Sequence, residues 1–180
     1  MAEPDELYTL RAQFWLGHYQ MASDEAKSIA RRPMSPDLKA EREEFVARCA
    51  IAMKDYSKVI AGDTPALQAL AVQAQYESLG GDETQTQPLI IQLQSMLGDG
   101  VSPSVQLIAA NVFLQAGMKK EALQCVHNGS TLEQIGLCAQ LYLSLDRLDL
   151  AKQSLNQLRK MDEDSMLTQL TSVYVALATG

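Results

Sequence analysis

Gly17-His18-Tyr19-Gln20-Met21-Ala22 returns along the chain as Lys54-Asp55-Tyr56-Ser57-Lys58-Val59, as Gly117-Met118-Lys119-Lys120-Glu121-Ala122 and as Asp146-Arg147-Leu148-Asp149-Leu150-Ala151. Each copy opens on a small or polar turn residue and carries an aliphatic residue, usually Ala, five positions later. The pattern describes the bend of a helix–turn–helix repeat, in which a small side chain lets two antiparallel helices touch. A weaker copy lies at Gly80-Gly81.

With Gly81 as its start, successive copies are 37, 27, 36 and 29 residues apart. The mean is near the ~34 residues of a tetratricopeptide repeat. Ser35-Pro36, Thr64-Pro65 and Ser102-Pro103 each pair a capping residue with a proline at the first helical position, where a missing N–H costs nothing. All six prolines (Pro4, Pro33, Pro36, Pro65, Pro88, Pro103) are expected outside helix interiors. Ser130-Thr131-Leu132-Glu133 has the spacing of a capping box, and Gly62-Asp63, Gly80-Gly81, Gly98-Asp99-Gly100 and Asn128-Gly129 are stop signals. These signals predict eleven helices, at 5–16, 20–31, 36–53, 55–61, 65–79, 88–97, 103–116, 118–127, 131–145, 147–161 and 164–178, with a loop over 80–87. No segment alternates with period two, so no sheet is expected. Ile135, Cys138, Ala139 and Tyr142, spaced i, i+3, i+4, i+7, and Ala109, Ala110 and Phe113 mark packing faces. In the first repeat Leu7, Leu10 and Phe14 fit best when the register slips by one. The predicted fold is an all-α, tetratricopeptide-repeat-like α-solenoid of antiparallel helix pairs, about five and a half repeats. It forms one domain over 1–180, and its last helix lacks a partner, as in a solenoid truncated at its C-terminal end.

Composition narrows the function. Fifteen Lys and Arg face 22 Asp and Glu, a net charge of −7, and no basic cluster exceeds Arg31-Arg32 or Lys119-Lys120. Such a surface repels a phosphate backbone and anionic lipid, so neither nucleic acid nor direct membrane binding is expected. The start, Met1-Ala2-Glu3-Pro4-Asp5-Glu6, has no signal-peptide character. The charge-free run 101–118 is broken by Ser102, Pro103, Gln106, Asn111 and Gln115 and is too polar to span a bilayer. Cys49, Cys125 and Cys138 read as reduced, core-packed thiols of a cytosolic protein.

Two segments carry more than repeat character: Leu145-Asp146-Arg147-Leu148-Asp149-Leu150-Ala151-Lys152, and Asp162-Glu163-Asp164-Ser165-Met166-Leu167-Thr168-Gln169-Leu170 with the ending Val175-Ala176-Leu177-Ala178-Thr179-Gly180. Together with Asp5-Glu6-Leu7, Phe14-Trp15-Leu16-Gly17-His18-Tyr19-Gln20 and Glu41-Arg42-Glu43, they resemble the epsilon subunit of coatomer, the COPI vesicle coat, from residue 5 to the end. Residues 60–120 match only in helical pattern, and members of that family continue with further repeats. The resemblance implies a non-catalytic subunit that wraps and stabilises the C-terminal region of the alpha subunit of coatomer. It implies a place in the cytoplasm and on Golgi membranes, in retrograde Golgi-to-ER and intra-Golgi traffic, with membrane contact made through other subunits.

Repeat geometry names the side chains of an inner wall. First helices of each pair face the concave side, and their second, fifth and ninth positions project into it. These are Arg48 in the second repeat, Leu107 and Asn111 in the fourth, Glu133 and Gln140 in the fifth and Tyr174 in the sixth. A mixed polar and apolar wall suits an extended or hairpin segment. The alternative is a generic adaptor or co-chaperone gripping a peptide's C-terminal carboxylate, but the clamp positions hold Leu7, Arg11 and Phe45. Nothing predicts an enzyme, a metal or a cofactor. His18 sits in a turn, and the Cys125/His127 pair has no second pair to complete a zinc site. Glu41, Glu43 and Glu44, beside Arg42 and Arg48, read as a solvated, partly paired face.

Overall fold

The computed structural model describes residues 5–80 and 82–180; the readings of Met1–Pro4 and of Gly81 lie outside the described residues. Among the described residues ten α-helices follow in order, namely α1 (Tyr8–Trp15), α2 (Tyr19–Ser28), α3 (Pro36–Ala52), α4 (Pro65–Ser78), α5 (Glu83–Met96), α6 (Pro103–Gln115), α7 (Lys119–Val126), α8 (Leu132–Ser144), α9 (Leu148–Met161) and α10 (Met166–Thr179). A short 3-10 turn, Tyr56–Lys58, lies between α3 and α4, and no strand occurs among the described residues. The chain divides into two compact units, residues 1–96 and 97–180.

The four copies of the turn signature share one backbone conformation. Gly17, Lys54, Gly117 and Asp146 have φ of +80°, +60°, +76° and +56°. The residues that follow, His18, Asp55, Met118 and Arg147, have ψ of 58°, 63°, 63° and 64°. In each copy this second residue donates its N–H to a carbonyl five residues back (Gln13, Ala50, Phe113, Tyr142), and the left-handed residue donates to one three back (Phe14, Ile51, Leu114, Leu143). This is the Schellman arrangement, which satisfies the orphan carbonyls of a helix end and turns the chain sharply. Five positions on, Ala22, Ala122 and Ala151 are fully buried.

Two of the four left-handed positions carry side chains, and an L-residue there bears about 1–2 kcal/mol of strain that glycine avoids. Asp146→Gly is therefore expected to stabilise the protein by about 0.5–1 kcal/mol, and Gly117→Ala to destabilise it by about 1 kcal/mol. Urea midpoints should move in opposite directions; equal midpoints would show that the turn tolerates a Cβ without strain.

The second copy departs from the other three. The expected helix over 55–61 is only the 3-10 turn, because Val59 is already extended (φ −88°, ψ 107°) and the Thr64 cap of α4 follows within five residues. The β-branched Val59, where the other copies carry Ala, also favours extended backbone. The expected loop over 80–87 is largely helical, since α5 starts at Glu83 and Pro88 lies inside it, against the expectation for prolines. The Asp82 carboxylate accepts from Thr84 N at 3.0 Å and Gln85 Nε2 at 2.7 Å, and its carbonyl accepts from Thr86 N and Oγ1. Those bonds secure the turn ahead of Pro88, which removes a single i→i−4 bond. Ser35, Thr64 and Ser102 cap α3, α4 and α6 as expected, each followed by proline.

In the first unit α1 to α5 pack each on the next, and α1 also reaches α3. Leu7, Leu10, Ala22, Ala26, Ile29, Phe45 and Cys49 form its core, with Phe14 and Tyr19 against them, so the slipped register of the first helix holds. In the second unit α6 packs on α7 and α8, α8 on α9, and α10 on both α8 and α9. Ala109, Ala110 and Phe113 of α6 and Ile135, Cys138 and Ala139 of α8 are buried there, and Tyr142 is half-buried.

Candidate partner-binding site

In the second unit the first helices of successive pairs, α6, α8 and α10, lie side by side. Small residues allow this: Gly136 of α8 faces Thr171 of α10, and a Cβ built on Gly136 would sit 3.8 Å from the Thr171 hydroxyl. Five of the six predicted wall residues belong to these helices. Gln140 is exposed, Asn111 and Glu133 are half-buried, and Tyr174 is 48% exposed. Leu107 is only 7% exposed and packs into the core, so it offers a partner little surface. On α10, Val173 and Leu177 flank Tyr174 at 55% and 75% exposure, an apolar face that the sequence reading did not single out.

Arg48 belongs to the first unit. Its guanidinium carbon stacks 4.5 Å above the Phe14 ring and 4.7 Å above that of Phe45. The cation–π contact holds the charge half-buried at the edge of the core. Nearby, Arg11 clasps Glu41 with two bonds of 2.7 Å and reaches Asp5 at 2.6 Å. The bond to Glu41 raises the Arg11 pKa above its ordinary value. The carboxylate cluster around Glu41 is thus tied into structure, with Arg42 also bonded to the Ala26 carbonyl.

α8 begins in a capping box one residue later than expected, with Thr131 as cap and Gln134 as its partner. Gln134 is 1% exposed. Its Oε1 accepts from Ser130 N (3.0 Å), Thr131 N (3.3 Å) and the Thr131 hydroxyl (3.3 Å), while Nε2 donates to Gln106 Oε1 (2.7 Å) and the Pro103 carbonyl (3.4 Å). A buried amide with every group bonded joins α8 to α6. The signal for it was in the sequence as Thr131-x-x-Gln134, an equally valid capping box.

The Asp162–Leu170 segment has a structural explanation. Thr168 Oγ1 donates to the Asp162 carbonyl at 2.7 Å, Gln169 Nε2 to the Glu163 carbonyl at 2.8 Å, and Asp162 Oδ1 accepts from Asp164 N at 3.1 Å. Its polar residues tie the α9–α10 connection to the first turns of α10.

Cys49 and Cys138 are buried and Cys125 is half-buried. Burial pushes Cys49 and Cys125 up to about 11 and raises Cys138 as well, so none is a thiolate at neutral pH. Among the described residues no group of His, Cys, Asp and Glu is placed to hold a metal ion, and no helix is long and apolar enough to cross a membrane.

Helix pairs joined by one recurring left-handed joint, with first helices ranked side by side, define a tetratricopeptide-repeat-like scaffold. A solved thermophilic tetratricopeptide-repeat protein from Thermus thermophilus has this fold, with a TM-score of 0.58 at 19% identity over 98% of this chain and 100% of that one. The chain belongs to the coatomer epsilon subunit family, whose model matches residues 3–180. It is similar to coatomer subunit epsilon-1 of Oryza sativa subsp. japonica, 34% identical over 187 residues and 100% of this chain. It is also similar to coatomer subunit epsilon-1 of Arabidopsis thaliana, 35% identical over 190 residues and 100% of this chain. The coatomer subunit epsilon of Dictyostelium discoideum is 28% identical over 188 residues and 98% of this chain. The chain spans 62% of the length of each of these relatives.

Proposed function

We propose that this chain is a non-catalytic scaffold of the COPI coat that holds the C-terminal region of the alpha subunit of coatomer. It would work in retrograde Golgi-to-ER and intra-Golgi transport, in the cytoplasm and peripherally on Golgi membranes and coated vesicles, with other subunits making the membrane contact. The observation that carries the reading is the family match over residues 3–180. The ranked helices α6, α8 and α10 supply a surface for a partner segment, with Gln140 and Tyr174 exposed and Asn111 and Glu133 half-buried. The negative net charge of −7 agrees with indirect membrane contact.

The test is retention of the C-terminal domain of an alpha subunit on the immobilised chain, with a chaperone tail peptide as control. Selective retention of the alpha domain is expected. Asn111→Ala combined with Gln140→Ala should weaken it about tenfold through two lost hydrogen-bonding groups, with helicity unchanged. Undiminished affinity in that variant would reject this wall as the contact face.

A further inference from the structure

We propose that Ser35 is a phosphorylation site for a proline-directed protein kinase, and that Arg31, Arg32 and Lys39 receive the phosphate. The inference stands on the connection between α2 and α3 and is independent of the partner reading above.

Arg31-Arg32-Pro33-Met34-Ser35-Pro36 leads from α2 into α3. Two prolines set its shape. Each fixes its own φ and disfavours helical backbone in the residue before it, which pushes Arg32 and Ser35 towards extended torsions. Ser35 has φ −61° and ψ 157°. Successive side chains of an extended chain point to opposite sides, and here Met34 packs on the first core while Pro33 and Ser35 are exposed. A protein kinase takes its substrate as an extended strand, so this connection is already near the bound shape and has less entropy to lose. Ser35 is lightly held by α3. Its hydroxyl accepts from Leu38 N at 3.3 Å, and its carbonyl accepts from Lys39 N at 3.0 Å.

The chain has two other Ser/Thr-Pro pairs, Thr64-Pro65 and Ser102-Pro103, and both lack what sets Ser35 apart. Only Ser35 has a second proline two residues before it; Thr64 and Ser102 have Gly62 and Gly100 there. A proline-directed cleft seats the ring after the hydroxyl, and the mitogen-activated class of kinase also takes one two residues before it. Charge separates the three sites as well. Over residues 29–39 three cations, Arg31, Arg32 and Lys39, meet one acid, Asp37, in a chain whose net charge is −7. Arg31 and Lys39 have no ion-pair partner among the described residues, and Arg32 reaches Glu6 at 3.0 Å. Thr64 directly follows Asp63, Ser102 lies three residues after Asp99, and neither has a cation within four residues. A phosphate carries about −2 at neutral pH. At Ser35 it brings its surroundings near neutrality, whereas at the other two it meets an acid.

The transfer needs only ATP from outside. The Ser35 hydroxyl oxygen bonds to the γ-phosphorus, the bond from that phosphorus to the β-phosphate oxygen breaks, and ADP leaves. The hydroxyl proton passes to the kinase's catalytic carboxylate.

Incubating the full chain with an active mitogen-activated protein kinase and Mg·ATP should place a phosphate on Ser35, located by mass spectrometry of its peptides. Thr64 and Ser102 are internal controls and should stay unmodified. Ser35→Asn keeps a good helix cap but removes the acceptor hydroxyl, so it should fold as the wild type does and take up no phosphate. Pro33→Ala and Pro36→Ala should each lower the initial rate about tenfold or more, the size of one lost pocket contact. The phosphorylated chain should melt no lower than the unmodified one, since the cations and the start of α3 both favour the added charge. No phosphate on Ser35, a preference for Thr64 or Ser102, or an undiminished rate in either proline variant overturns the site and its kinase class. Modification of Ser35 only by a kinase that reads Arg32 and ignores proline overturns the class. A phosphorylated chain that melts lower overturns the role given to Arg31, Arg32 and Lys39.

Discussion

Phe45→Ala is expected to destabilise the first unit by about 3–5 kcal/mol, the range for removing a fully buried aromatic ring. Phe45 is 2% exposed and meets Phe14 edge-on at 5.2 Å, and Phe14 meets Tyr19 at 5.4 Å. Arg48 lies across the Phe14 and Phe45 rings. Deleting the ring opens a cavity between α1 and α3 and strips half of the surface on which the guanidinium rests. Trp15 is the only tryptophan and follows Phe14 directly, so its fluorescence reports this core during denaturation. Phe45→Leu, which keeps most of the volume, should cost under about 1.5 kcal/mol. An alanine variant losing no more than the leucine variant would mean that α1 and α3 close up around the gap.

Two glycines seven residues apart should respond to alanine with opposite signs. A Cβ on Gly129 would lie 2.4 Å from the Gln134 Cβ and 2.9 Å from the Val126 carbonyl oxygen. The first is the root of a side chain held by five hydrogen bonds, and the second is backbone, so neither can step aside cheaply. Gly129→Ala should cost about 1–3 kcal/mol and loosen the start of α8. Gly136, in the middle of α8, has room for the methyl group at ordinary contact distance from Thr171. Gly136→Ala should gain up to about 1 kcal/mol, the helical preference of alanine over glycine. Hydrogen exchange of the α8 amides reads both; slower exchange in Gly129→Ala, or faster exchange in Gly136→Ala, would contradict the close approaches described for that helix.

The helical joints were legible from local chemistry because a joint needs only a residue tolerant of positive φ and a small residue five positions later. Gly17, Gly117 and Asp146 with Ala22, Ala122 and Ala151 meet both conditions. Lys54 with Val59 meets only the first, and the helix that should follow is reduced to one 3-10 turn. Pro88 misled because a proline bounds a helix only where nothing closes the turn before it, and here the bonds of Asp82 and Thr86 close that turn. At the candidate site, counting along the first helices placed Gln140 and Tyr174 on open surface but put Leu107 there as well, which is packed away. Which face of α6 is covered depends on how α7 and α8 lie against it, and a count along one helix does not carry that. Gln134 was missed for a related reason. Two capping boxes offset by one residue start at Ser130 and Thr131, and the bonds of the Gln134 amide to Gln106 and to the Pro103 carbonyl, 28 and 31 residues away, go with the second.

The left-handed joint is written almost wholly in main-chain atoms, and glycine, lysine and aspartate all serve at its first position. Side-chain identity at that position can therefore vary while the torsions of the joint are retained. The Lys54 joint has the same torsions and leads only into a 3-10 turn, so the joint sets the direction of the chain while the residues after it decide whether a helix follows.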